Sequence, residues 1–182
     1  MITASQKKKE NIAEYLLYMW QIEDIIRAYG LDLDLIKKNL VDRYAGIDEE
    51  QRRTMTEWYE SLIDMMRREG VAKSGHLQLN KNVIIALDDL NARLVSDPKY
   101  ATFAAEYYKI LPLIVEIRAK AGENKSGEIE TLFNFLYGIL MLKLQKKEIS
   151  KDTLEAASKA SHFLGMLAQY YKKDFNNELE LQ

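Results

Sequence analysis

The chain has no cysteine in its 182 residues. That absence excludes disulfides, thiolate nucleophiles, iron–sulfur clusters and cysteine-ligated zinc together. Two prolines and eight glycines are its only strong punctuation, so long unbroken elements are expected. Histidine occurs twice, as His76 and His162. Lys73 and Lys159 precede them by three residues, where a di-iron helix bundle requires glutamate. No zinc helix of the His-Glu-x-x-His kind is present. Both histidines read as ordinary surface residues. No glycine-rich turn follows a strand pattern, which removes the usual phosphate cradles. No metal or cofactor is expected.

An excess of charge of one sign is also missing. The formal charge of −2 does not suit a surface built on phosphate contacts, and the acidic 48–50 stretch opens a helix that would otherwise suit a helix-turn-helix. Nucleic acid is therefore not an expected partner. Long apolar runs are absent too. The run 15–20, bounded by Glu14 and Gln21, is too short for a signal peptide. The longest, 135–142, is far below a membrane span. A soluble protein of the cytoplasm is expected, with no membrane partner.

The residues that are present, 47% apolar and 30% charged, belong to a folded chain. Apolar positions recur at helical spacing in seven segments, with no strand alternation. The first runs from about 6 to 29 and stops at Gly30. A short one follows Asp34. Asp48 with Gln51 looks like a capping pair for the third, which Gly70 ends and which presents Met55, Trp58, Tyr59, Leu62, Ile63 and Met66. Asn80 reads as the cap of the fourth, with Val83, Leu87, Leu90 and Leu94 on one face. Asp97-Pro98 opens the fifth, and Pro112 is expected to kink it. A glycine-bearing loop over 122–127 leads to the sixth, near 128–147, which is apolar almost all round. Such a helix is expected at the centre of a bundle. The last segment follows Ser150 and sets Ala156, Ala157, Ala160, Leu164 and Ala168 together. The expected architecture is an all-α bundle of six to seven helices, one domain over 1–182. The aperiodic stretch 70–80 is the one candidate internal boundary.

Acidic residues on the third helix invite comparison with magnesium-dependent helical hydrolases. Glu57, Glu60 and Asp64, with Asp88 and Asp89 on the next helix, are the candidates. The three on the third helix fall opposite its apolar face, among Arg53, Arg67 and Arg68, at the spacing of helical ion pairs. A solvated charged face is the expectation there.

Three charges do break an apolar face. Glu23 projects into the arc of Ile12, Leu16, Met19 and Ile26, with Arg27 one turn on, beside Trp20. Arg118 falls at the centre of the face of Tyr100, Phe103, Tyr107, Leu111 and Ile114. A charge in such a face must be paired or line a wet pocket. Glu23, Arg27 and Arg118, with Tyr15, Trp20 and Tyr107, are therefore the candidate site. They would form either a receptor for a small anionic ligand or a structural ion-pair network. Tyr18, Tyr108 and Tyr170 are left over from core packing and suit a homodimer or a protein partner.

The stretch Asn11-Ile-Ala-Glu-Tyr-Leu-Leu-Tyr-Met-Trp-Gln-Ile-Glu-Asp-Ile-Ile-Arg27, continuing to Asp34, resembles the opening of an uncharacterised family of all-helical proteins from Bacteroidetes-type bacteria, a domain of unknown function. Glu148-Ile-Ser to Tyr170-Tyr171 is similar to its last helix. The resemblance implies a single bacterial cytoplasmic domain and supplies no activity or site residues. The expected role is association with itself or another protein, not catalysis. Binding of a small anion is the alternative, and metal-dependent hydrolysis the third.

Overall fold

The computed structural model describes residues 2–122 and 126–180. All its regular secondary structure is helical, with no strand among these residues. The helices are α1 (Ile2–Glu10), α2 (Ile12–Ala28), α3 (Leu33–Ile36), α4 (Glu49–Arg68), α5 (Gln78–Ser96), α6 (Ala101–Ala121), α7 (Glu128–Leu144) and α8 (Lys151–Phe175). A π turn, Lys37–Val41, extends α3, and a 3-10 turn, Pro98–Tyr100, leads into α6. The described residues thus form eight α-helices where six to seven were expected. The extra one arises at Asn11, whose side chain accepts the Ala13 N–H at 3.0 Å. That bond starts a new helix inside the stretch read as one. The loop expected at 122–127 lies partly outside the described residues. Contacts group the chain into two compact units, 1–9 with 14–82, and 10–13 with 83–182.

In the first unit, α2 buries Leu16, Met19, Trp20, Ile22 and Ile26. Asp32, not Asp34, caps α3 by accepting the Leu35 N–H at 3.0 Å. Arg52 ties off the π turn, donating to the carbonyls of Val41 at 2.8 Å and Tyr44 at 3.0 Å. The capping pair on α4 forms in both directions, at 2.7 and 3.0 Å. That helix buries Met55, Tyr59, Leu62, Ile63 and Met66, while Trp58 is half-buried. Its other face carries the expected ion pairs, Arg53 with Glu57 at 3.8 Å and Arg68 with Asp64 at 3.6 Å. Gly70 ends the helix at φ +71°, a conformation costly to any residue with a Cβ.

In the second unit, Val83, Leu87, Leu90 and Leu94 of α5 are buried together. Asp97 accepts the Lys99 N–H at 2.9 Å, with Pro98 filling the first turn. The helices α6, α7 and α8 pack on one another. An aromatic cluster joins α6 to α8, with the Phe103 ring 5.5 Å from Phe163 and 5.4 Å from Tyr170. Ala157, Ala160, Leu164 and Ala168 are buried on α8, while Ala156, expected beside them, is half-buried.

The sixth expected helix, α7, is enclosed only in its first half. Ile129, Leu132 and Phe133 are fully buried, and Ile139 nearly so. From Phe135 onward most side chains are half-buried, and Leu144 is 63% exposed. Apolar character around the helix predicts a central position, but neighbours cover only part of its length.

Candidate functional site

Leu77 stands immediately before α5 and carries no side-chain acceptor for the free N–H groups of the first turn. Glu23 of α2 supplies one. Its side chain is fully buried. Oε1 accepts the Leu77 N–H at 2.9 Å and the Asn80 side-chain amide at 2.7 Å. Oε2 lies 2.6 Å from Nδ1 of His76, which donates to the carboxylate. That ring lies flat on Trp20, with centroids 4.1 Å apart and planes 13° from parallel. The next N–H, of Gln78, is taken by Glu69 at 2.6 Å.

Arg27 completes the cluster. It lies 3.9 Å from Glu23 and pairs with Asp24 at 2.7 Å. It also donates to the carbonyls of Val71 and Gly75. The aperiodic stretch is therefore fastened to α2 at both ends. Chemically this is a knot in which the charged groups are paired with one another and with the backbone, while the side-chain oxygen of Asn80 is buried with no hydrogen-bond partner among the described residues.

The start of α7 repeats the problem. Its N-cap is Gly127, with no side chain to offer. Asp88 of α5 accepts the Ile129 N–H instead. Burial pushes the Asp88 carboxyl above its ordinary value, the Ile129 N–H pulls it down, Glu130 and Glu128 push it up, and Arg118 pulls it down. Arg118 of α6 donates to the Ser126 carbonyl at 2.6 Å and to the Thr131 hydroxyl at 3.3 Å. The Thr131 hydroxyl in turn donates to the Gly127 carbonyl at 2.7 Å. The Tyr107 hydroxyl donates to Glu128 at 2.6 Å. Burial, and then that carboxylate, push the Tyr107 phenol up to about 12.

The six residues expected at one site sort into two clusters. Glu23, Arg27 and Trp20 meet in the first unit, and Tyr15 is buried on the same helix with Lys8 over its ring. Tyr107 and Arg118 belong to the second unit, with Glu128, Thr131 and Asp88. His76 is corrected from a surface residue to a member of the buried network, because Glu23 needs a donor and Trp20 offers a face to stack on. His162 is exposed. Asn80 lies inside the first turn of α5 and donates to Glu23 instead of capping. Asp88, read as a magnesium candidate, caps α7. Among the described residues no group of three or more His, Asp or Glu side chains is arranged to hold a metal ion. No helix among them is long and apolar enough to cross a membrane.

A different feature lies on the outside of the second unit. Along α6, Ala101, Ala105, Tyr108, Pro112, Val115 and Ala119 are all exposed. Tyr108 is 61% and Val115 64% exposed. They alternate in steps of four and three, so they form one stripe. The buried Phe103, Ile110 and Ile114 lie on the opposite side of the same helix. Beside the stripe, a groove of about 580 Å³ runs between α6 and α8, lined by apolar side chains such as Leu113 and Phe135 and by charged ones, Lys109, Glu116, Asp152 and Glu155 among them.

Compared with known proteins, residues 1–178 match one family model, described as domain of unknown function DUF4924. No curated protein and no solved structure matches the chain.

Proposed function

The chain belongs to the DUF4924 family, and we propose that it is a non-enzymatic helical protein of a reducing, cytoplasmic compartment that acts by association with a protein surface. The outward face of α6 carries this reading. A helix that is apolar on two opposite sides is normally covered on both. Here one side packs into the second unit, and the other presents Tyr108, Pro112 and Val115 to solvent. Contiguous exposed apolar surface of this kind marks interaction sites, and tyrosine is favoured in them. The two polar clusters lend less support to an anion receptor. Arg27 and Arg118 already donate to backbone carbonyls, and an incoming anion would have to break those bonds.

A photo-crosslinking residue placed at position 115 in living cells tests the reading, with the same probe at position 57 on the charged face of α4 as control. Discrete protein adducts from position 115 alone are expected. Equal adducts from both positions, or none from 115, would sink association through this face.

A further inference from the structure

The order of residues along the α6 stripe says which surface fits it. The stripe is close to a palindrome about Pro112. Ala105 and Ala119 stand seven residues to either side, and Tyr108 and Val115 stand four before and three after. Lys109 and Glu116 flank the stripe on one edge, three before and four after, with opposite charge. Turning such a stripe end for end about Pro112 sets small residues against small and bulky against bulky. It also brings each lysine to the other helix's glutamate.

Resting on the association reading above, we infer that the occupant of this face is a second copy of the chain, docked through α6 in antiparallel orientation about a two-fold axis near Pro112. In that arrangement Lys109 of each copy faces Glu116 of the other, giving two equivalent ion pairs. A two-fold interface must be self-complementary, and the inverted charge order supplies that property. An unrelated partner would place no such demand on the sequence. The parallel alternative fails on charge. It would set the Lys109 and Glu116 edge against the edge of Ala104 and Leu111, leaving both charges without a counter-charge across the seam.

Within one copy, Lys109 pairs with Glu106 and Glu116 with Lys120, each at 2.6 Å. Glu116, Lys109 and Lys120 are well exposed. Exposed pairs of this kind are weak, so both groups can reach across the seam. Ala105 and Ala119 allow the helices to approach closely at the ends, while Tyr108 and Val115 fill the middle. A seam of about five helical turns is short for a protein interface, so the dimer exchanges with monomer at micromolar concentrations.

Sedimentation velocity on the full chain, from low to high micromolar, tests the arrangement. The unaltered chain is expected to pass from monomer to dimer over this range, and Val115→Arg to stay monomeric with an unchanged helical spectrum and melting temperature. Lys109→Glu and Glu116→Lys should each raise the dimer dissociation constant about tenfold, from two lost pairs of under 1 kcal/mol each. The double exchange, Lys109→Glu with Glu116→Lys, should restore it. A dimer that ignores Val115→Arg and both charge changes overturns the α6 arrangement. A monomer at every concentration that still crosslinks from position 115 to a different protein overturns the second copy and leaves association standing. A monomer with no adduct from position 115 overturns both.

Discussion

Helices α5 and α7 begin after residues, Leu77 and Gly127, that have no side-chain acceptor, and each takes its cap from a carboxylate on an earlier helix. Glu23 does this in the first unit and Asp88 in the second. An arginine beside each, Arg27 or Arg118, fastens the preceding loop by its carbonyls. The two devices share a plan and differ in how well it is filled. Glu23 is completely buried yet receives hydrogen bonds from a backbone N–H, a side-chain amide and an imidazole. Asp88 is only half-buried, receives the Ile129 N–H, and sits near Glu128 and Glu130. Burial raises its carboxyl pKa. The difference lies in the donors aimed at each carboxylate: a backbone N–H, an amide and an imidazole at Glu23, against a backbone N–H at Asp88.

The sharpest way to break this comparison is to remove each carboxylate. Glu23→Ala leaves the Leu77 N–H, the Asn80 amide and His76 without their acceptor, and should cost about 3–5 kcal/mol in denaturant unfolding. Asp88→Ala removes one cap and should cost about 0.5–2 kcal/mol. Equal losses, or a larger one for Asp88, would overturn the ranking.

Arg118→Met comes next. It keeps an unbranched apolar stem but gives up the charged bonds to the Ser126 carbonyl and the Thr131 hydroxyl. A loss of about 1.5–3 kcal/mol is expected in the same measurement. Unchanged or higher stability would show that this arginine is not a fastener, and would return it to consideration as a ligand-binding residue.

The smallest effect is one of pH. The Asp88 carboxyl is raised in the folded chain above its ordinary value of 3.8. Between the unfolded and folded values, the folded state therefore holds a proton that the unfolded state has released. Stability from this group is present at and below the unfolded value and is lost as pH rises through the folded one. Asp88→Asn keeps an oxygen for the Ile129 N–H and carries no charge. Its unfolding free energy relative to the unaltered chain, measured in urea across the acid range, should rise as pH rises through the folded value. At neutral pH the variant should match or exceed the unaltered chain. A relative stability that falls as pH rises would be inconsistent with a raised carboxyl.

Several elements of this architecture were legible because they rest on local rules. The capping box of Asp48 and Gln51, the Asp97-Pro98 start, the Gly70 stop and the buried faces of α4 and α5 follow from spacing and turn chemistry alone. Glu23 and Arg27 stood out because they interrupt an apolar arc. Their partners did not stand out. His76 and Asn80 are more than fifty residues away in sequence, and nothing near them announces a buried carboxylate. A usable signal did exist in what was missing. A helix that starts after Leu or Gly needs an acceptor from elsewhere, and the unexplained carboxylates Glu23 and Asp88 were the groups to assign. The break at Asn11 was missed because the apolar period runs through it unchanged, and only the side-chain bond to Ala13 reveals it.

The sequence by itself determined that this chain is helical, where most helices start and stop, and which faces must be buried, since these depend on neighbours within about one turn. Tertiary structure decided which carboxylate caps which helix. It also decided that α7 is enclosed for only half its length, and that one apolar face of α6 looks outward. Those outcomes depend on which segments meet across long stretches of chain, and periodicity records the presence of an apolar face without naming what covers it.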